Sequence, residues 1–156
     1  MQNLSVKLND GRFNYRVGAI IVRDNKILMV KNNRSPHYYS VGGRVKFGES
    51  SREALTRELN EEIGQELEIG DLAIVQESFF EYGETKEKYH EVCFFYYVDY
   101  DENNPIEGTS FIDNGELEFL EWLDMDKLNE YEIYPKFFKT ELTKKHKMKH
   151  FTDKYY

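Results

Sequence analysis

Cysteine is nearly absent from this 156-residue chain. Cys93 alone cannot form an internal disulfide. It stands in a strand-like run with no nucleophile partner or metal-type cluster nearby, so it reads as a buried core thiol. A reducing cytoplasm fits that usage. Long apolar runs are missing too. The longest, Val92 to Val98, falls far short of the roughly 20 residues that a membrane helix needs. The opening MQNLSVKLND has neither a basic n-region nor an apolar h-region, so no secretory signal is expected. Positive charge is in deficit, with 21 Lys and Arg against 29 Asp and Glu. The net of −8 argues against general nucleic-acid binding through the overall field. Repeats, low-complexity tracts and boundary-type linkers are also lacking. One domain over residues 1–156 is expected, with enough length for a substantial core.

What the chain does have is concentrated in Gly43 to Gln65, GRVKFGESSREALTRELNEEIGQ. A glycine-rich turn leads into a segment of helical pattern. A helix turns about 100° per residue, so Glu58, Glu61 and Glu62 share an arc of about 100° on one face. Like charges at i,i+4 cost a helix a few tenths of a kcal/mol per pair. A bound cation would offset that crowding. Leu55, Leu59 and Ile63 form the core-facing stripe, and the carboxylates lie at its edge. Ser50 or Ser51 is expected as N-cap, Glu53 in the first turn and Gly64 at the stop.

The charge is uneven as well. From Lys136 onward the net is +5, which leaves −13 for the rest. An acidic body repels a polyphosphate unless divalent cations screen it. Residues 144–156, KKHKMKHFTDKYY, read as a solvated basic C-terminal extension. The acidic arc offers oxygen ligands with no Cys or His in the segment, which favours Mg²⁺ or Mn²⁺ over zinc.

The segment resembles the Nudix box: G, five residues, E, seven residues, then R-E-U-x-E-E-x-G-U, where U is a bulky aliphatic. Gly43, Glu49, Arg57, Glu58, Leu59, Glu61, Glu62 and Gly64 fall on its positions. Gln65 departs from the pattern where an aliphatic is expected, which puts local packing at the helix exit in question. The resemblance implies an α/β/α sandwich around a mixed β-sheet. It also implies a Mg²⁺-dependent hydrolase that cleaves a pyrophosphate bond in a nucleoside diphosphate linked to another moiety. The expected partner is a small-molecule nucleotide, and a homodimer is left open.

Glu62 and Glu58 are the first choices as metal ligands, with Glu61 direct or through water and the Gly42 carbonyl as a further ligand. Glu58 is also a weak candidate for the general base, because a ligating carboxylate is a poor base. Arg57 reads as an orienting residue that pairs with Glu61 or Glu49. A further acidic residue from outside the box is expected from Glu116, Glu118, Glu121 or Glu91. For the substrate, Tyr82 stands seventeen residues beyond the box, as in dinucleoside polyphosphate hydrolases. The places where ADP-ribose hydrolases carry proline hold Phe80 and Glu81. Two alternatives stay open: a nucleotide-binding regulator without catalysis, and a hydrolase of a non-nucleotide polyphosphate or an RNA 5′ end.

Strands are expected over Tyr15–Val22, Lys26–Lys31, Tyr38–Val41, Leu72–Phe80, Tyr89–Tyr100 and Leu117–Leu123. Asp24-Asn25 should make a hairpin turn. Asp101–Asn114 reads as a loop. Beyond the box helix, a short helix is expected from Asp124 to about Asn129 and another over Tyr134–Thr143.

Overall fold

In the computed structural model, residues 1–106, 110–113, 115–142 and 147–155 are described. Alternation of apolar and polar residues builds about half of the chain into strands. In chain order these are β1 (Ser5–Leu8), β2 (Gly11–Ile20), β3 (Val22–Arg23), β4 (Lys26–Asn32), β5 (Tyr38–Ser40) and β6 (Gly42–Arg44). Helix α1 (Ser51–Ile63) follows, then β7 (Ile69–Tyr82), β8 (Glu87–Val98), β9 (Ser110–Asp113) and β10 (Glu116–Asp124). A 3₁₀ turn (Met125–Glu130), β11 (Ile133–Tyr134), the short α2 (Phe138–Glu141) and β12 (Lys149–Lys154) complete the described elements.

The strands divide between two mixed sheets. The first runs β1-β2-β8-β7-β12, with β6 also on β2. The second runs β11-β5-β4-β10-β9, with β3 also on β4. Parallel pairing of β2 with β8 sets Asn14 beside Glu91 and Arg16 beside Cys93. The β7–β8 hairpin then sets Gln76 beside Cys93 and Ser78 beside Glu91. Register therefore places Asn14, Arg16, Gln76, Ser78 and Glu91 on one face.

The opposite face packs on α1, where Leu55 and Leu59 meet Val17, Val45 and Tyr96 in one core cluster. A second cluster joins Phe95 and Ile74 to Phe137 and Phe138. Helical elements thus lie on both sides of the β structure, as the α/β/α expectation requires. Asp24 and Asn25 both take positive φ, 48° and 58°, which is the backbone that a tight two-residue hairpin demands.

Three expectations are corrected. The helix over Tyr134–Thr143 shrinks to Phe138–Glu141. The residue before a proline disfavours helical backbone, and Tyr134 instead pairs with Tyr39 on β5. Thr143 lies outside the described residues. The basic tail is not a solvated extension through 149–154. There β12 pairs in parallel with β7, with Phe151 beside Gln76 and Asp153 beside Ser78. Phe151 stacks on Phe137 at 5.0 Å between ring centroids. Lysines around these residues mask a period-two pattern in which Phe151 and Asp153 point inward. Within the span read as a loop, residues 110–113 form β9, while 107–109 and 114 lie outside the described residues.

Candidate active site

Local chemistry fixes α1 firmly. Ser50 caps it, accepting from the Glu53 amide at 3.3 Å, while the Glu53 carboxylate accepts from the Ser50 amide at 2.7 Å. This reciprocal pair satisfies two helix-end donors. Gly64 closes the helix in the left-handed region at φ 75°. The carboxylate arc is therefore mounted on a rigid support beside the β6 turn.

Arg57 organises that arc. Its Nε and Nη2 donate to the two Glu49 oxygens at 2.7 and 3.0 Å. Its Nη1 donates to Glu58 at 2.7 Å and to Glu61 at 3.4 Å, and Nη2 also reaches the Arg44 carbonyl at 3.0 Å. The Arg57 hydrogen bond holds the Glu49 carboxyl down at about 2, against the opposing effect of burial. The same Glu49 contact raises the guanidinium further above its ordinary value. The forked, two-point geometry is one that only arginine offers.

The turn and the helix interlock through two glycines. Gly42, at φ 141°, donates its amide to Glu62 at 3.2 Å. A Cβ at Gly42 would run into the Val17 carbonyl, and one at Gly43 would overlap the Glu58 carboxylate. Glycine at 43 thus leaves the space that the Glu58 carboxylate fills. Glu61 is placed differently. Its side chain is 55% exposed and lies over the outer face of α1. Among the described residues no three His, Cys, Asp or Glu side chains converge on a common point. Glu58 and Glu61 are turned onto Arg57, and Glu62 onto the Gly42 amide. The donor set is nonetheless all carboxylate, on one rigid face, which fits a hard divalent cation.

Glu62 stands at one end of a cleft of about 760 Å³ between the two sheets. The cleft floor is the polar face of the first sheet. Asn14 Nδ2 donates to Glu91 at 3.1 Å, and the Arg16 guanidinium lies 4.0 Å from the same carboxylate. Burial works against the Arg16 charge, but Glu91, Cys93, Glu62 and Glu58 outweigh it and raise its pKa. Arg44 is the cross-strand neighbour of Arg16 in the β2–β6 pair, and its buried Nε has no hydrogen-bond partner among the described residues. Cys93 is buried in this face, and burial pushes its thiol pKa up, as an inert core thiol requires.

The expected residues outside the box separate. Glu118 lines the cleft. Glu116 instead pairs with Arg34 at 2.5 Å. Glu121 accepts from the Tyr38 hydroxyl at 2.8 Å, and burial together with that bond lifts Tyr38 to about 12. Glu91 sits in the floor with Asn14 and Arg16 as partners. Tyr82 is on the rim, 69% exposed. Gln65 buries its Oε1 without a partner among the described residues, which is the packing consequence of the polar residue at the helix exit. Arg16, Arg44, Asn14 and Gln76 are cleft residues that sequence reasoning passed over. The available signal was the polar alternation Arg12, Asn14, Arg16, most of which lies ahead of the strand expected from Tyr15.

Comparison with known proteins agrees with this geometry. A sequence model of the NUDIX domain matches residues 12–142. A CTP pyrophosphohydrolase of Escherichia coli (strain K12) is 42% identical over 59 residues, which is 35% of this chain and 44% of that protein. The match therefore spans less than half the length of that relative. A MutT NUDIX hydrolase from Burkholderia pseudomallei superimposes with a TM-score of 0.62 at 25% identity, over 84% of this chain and 98% of that one. A mutator MutT protein from Bacillus halodurans gives a TM-score of 0.62 at 20% identity, over 89% and 90% of the two chains, and shows the shared fold. With the box on α1 and the family match running through both sheets, the chain belongs to the NUDIX domain family.

Proposed function

We propose that this protein hydrolyses a pyrophosphate bond in a nucleoside diphosphate linked to another moiety, nucleoside triphosphates included, with Mg²⁺ as its metal. The observation that carries the reading is the interlock of Glu62 with Gly42 and of Glu58 with Gly43 at the mouth of a nucleotide-sized cleft. Glu58 and Glu62 would hold the divalent ion. Glu61 would join directly or through water. When bound, Mg²⁺ supplies charge neutralisation on the phosphate oxygens and polarises the phosphorus under attack. Arg57 positions Glu49, Glu58 and Glu61 and touches no substrate.

Arg16 and Arg44 bind the polyphosphate. Like charges directly opposite across a β pair are destabilising. A buried donor without a partner costs about 1–3 kcal/mol. A phosphate between the two guanidiniums removes both penalties. Water attacks phosphorus at the box end, and the remainder of the substrate extends along the cleft floor. The similarity to a CTP pyrophosphohydrolase supports a nucleoside triphosphate as the first substrate to test.

A panel of CTP, UTP, ATP, ADP-ribose, NADH and a dinucleoside tetraphosphate, assayed for phosphate release with Mg²⁺ and with Mn²⁺, tests this reading. Turnover of at least one nucleotide that requires the metal is expected. Tight nucleotide binding without phosphate release over hours would replace the enzyme by a regulator.

A further inference from the structure

Lys136 lines the cleft and is exposed to it. Its Nζ stands 5.8 Å from the Tyr134 ring centroid and 5.4 Å from that of Tyr155. Both rings line the same cleft. Tyr134 is held in turn by Tyr39, stacked at 6.1 Å, and by His37, edge-on at 5.2 Å. Among the described residues the Lys136 ammonium makes ring contacts and no ion pair or hydrogen bond. The carboxylates beside these rings in the chain are committed elsewhere. Asp153 on β12 accepts from Gln76 Nε2 at 2.7 Å, and Glu132, just before β11, lies 2.6 Å from His37 Nε2.

One of the two rings comes from a segment that the NUDIX match does not include. That match ends at residue 142, and β12 lies beyond it. The Tyr155 amide continues the pairing of β12 with β7 by donating to the Phe79 carbonyl at 2.8 Å. Alternation sends Tyr155 to the same face as Phe151 and Asp153. Strand order then places this station. Along β2-β8-β7-β12 the outer strands are about 14 Å apart, at about 4.8 Å per step. Phe151 is in register with Gln76, Cys93 and Arg16. Tyr155 lies about 13 Å further along β12 than Phe151. Lys136 therefore stands across the cleft from Arg16 and the box.

We infer that Lys136 is a specificity-determining residue: it binds a phosphate group carried on the part of the substrate remote from the scissile pyrophosphate. This rests on the nucleotide reading of the site and deepens it. With the pyrophosphate at Arg16 and Arg44, the rest of the substrate runs along the floor toward the Lys136 wall. An ammonium offers three donors and a compact charge, which suits phosphate oxygens. Two ring faces attract the cation and restrict its side chain, so less freedom is lost when a phosphate arrives. In a chain of net −8 an added phosphate gains nothing from the overall field. A preference for it must come from a local cation. Tyr155 is a positioning residue in this scheme, because it acts through the ammonium that it flanks.

The test compares NADPH with NADH and coenzyme A with dephospho-coenzyme A, pairs that differ by one phosphate remote from the pyrophosphate. In the unmodified protein kcat/KM should favour the phosphorylated member of at least one pair by roughly 10-fold. The difference should lie in KM, because the contact is remote from the phosphorus under attack and holds ground state and transition state alike. Lys136→Gln should draw the ratio toward one and leave the rate on the unphosphorylated member unchanged. Lys136→Arg should keep the preference, and Tyr155→Ala should weaken it. A ratio within one preparation is insensitive to the fraction of variant that folds. Ratios near one for both pairs in the unmodified protein would overturn the inference. A preference that Lys136→Gln keeps unchanged would also overturn it. Where neither pair is turned over, calorimetry of adenosine 2′,5′-bisphosphate and adenosine 3′,5′-bisphosphate against AMP reads the same contact. Tighter binding of a bisphosphate that Lys136→Gln loses supports the inference, and equal affinity or no binding overturns it. Phosphate preference in binding without hydrolysis of any nucleotide would sink the proposed reaction alone. Hydrolysis with no phosphate preference would sink only the role of Lys136.

Discussion

The two ends of the cleft are built in opposite ways. At the box end, all the key groups come from one continuous stretch, Gly42 to Gly64, held by a capped helix and a tight turn. At the floor, Asn14, Gln76, Glu91 and Asp153 arrive from four strands and meet only through sheet register. The box end is crowded with negative charge and tied down by one arginine. In the floor each carboxylate is committed to an amide, and an amide oxygen is left over. The box end is thus set by local sequence, and the floor by long-range pairing.

If that division holds, perturbing the box should stop chemistry whatever the substrate. The largest effect is expected on metal removal, where chelation with EDTA should reduce phosphate release to background and added Mg²⁺ should restore it. Next is Gly43→Ala, which drives a methyl into the Glu58 carboxylate. Misplacing a reacting group by about 1 Å costs on the order of 10²-fold, so kcat should fall by that order with the fold retained by circular dichroism.

A smaller effect concerns stability and acid. Glu49 has its pKa depressed to about 2 by Arg57. Its contribution is present above the unfolded carboxylate value and is lost as pH falls through about 2. It amounts to about 3 kcal/mol in the limit. Denaturant melts between pH 5 and pH 2 should therefore show a shallower loss of stability in Glu49→Gln than in the unmodified protein. The smallest effect is a gain. Gln65→Leu removes a buried oxygen that lacks a partner and should stabilise by about 1 kcal/mol without changing the ratio of substrate activities.

The same division explains what could be read in advance. Helix α1, its caps, its core stripe and the carboxylate arc were readable because every relation involved lies within about two dozen residues. Strand positions followed from alternation, and the Asp24-Asn25 turn from its composition. Of the floor only Glu91 was readable, because Asn14 and Asp153 become neighbours of Glu91 and Gln76 only after β2, β7, β8 and β12 assemble. Arg16 was hidden at the start of an otherwise apolar strand, Tyr15–Val22. The helix over Tyr134–Thr143 failed because strand pairing of Ile133 and Tyr134 outweighed a helical pattern. The tail misled because its lysines dominate the composition, while the β12 pattern rests on Phe151 and Asp153 alone.

The carboxylates that α1 turns toward Gly42 and Gly43 carry the central claim. The most direct measurement is Mg²⁺-dependent phosphate release by Glu62→Gln and Glu58→Gln, on whichever nucleotide the unmodified protein turns over. Each variant should lose several kcal/mol of transition-state stabilisation, on the order of 10³-fold in rate, while keeping its folded spectrum. Full activity in both variants would contradict the account.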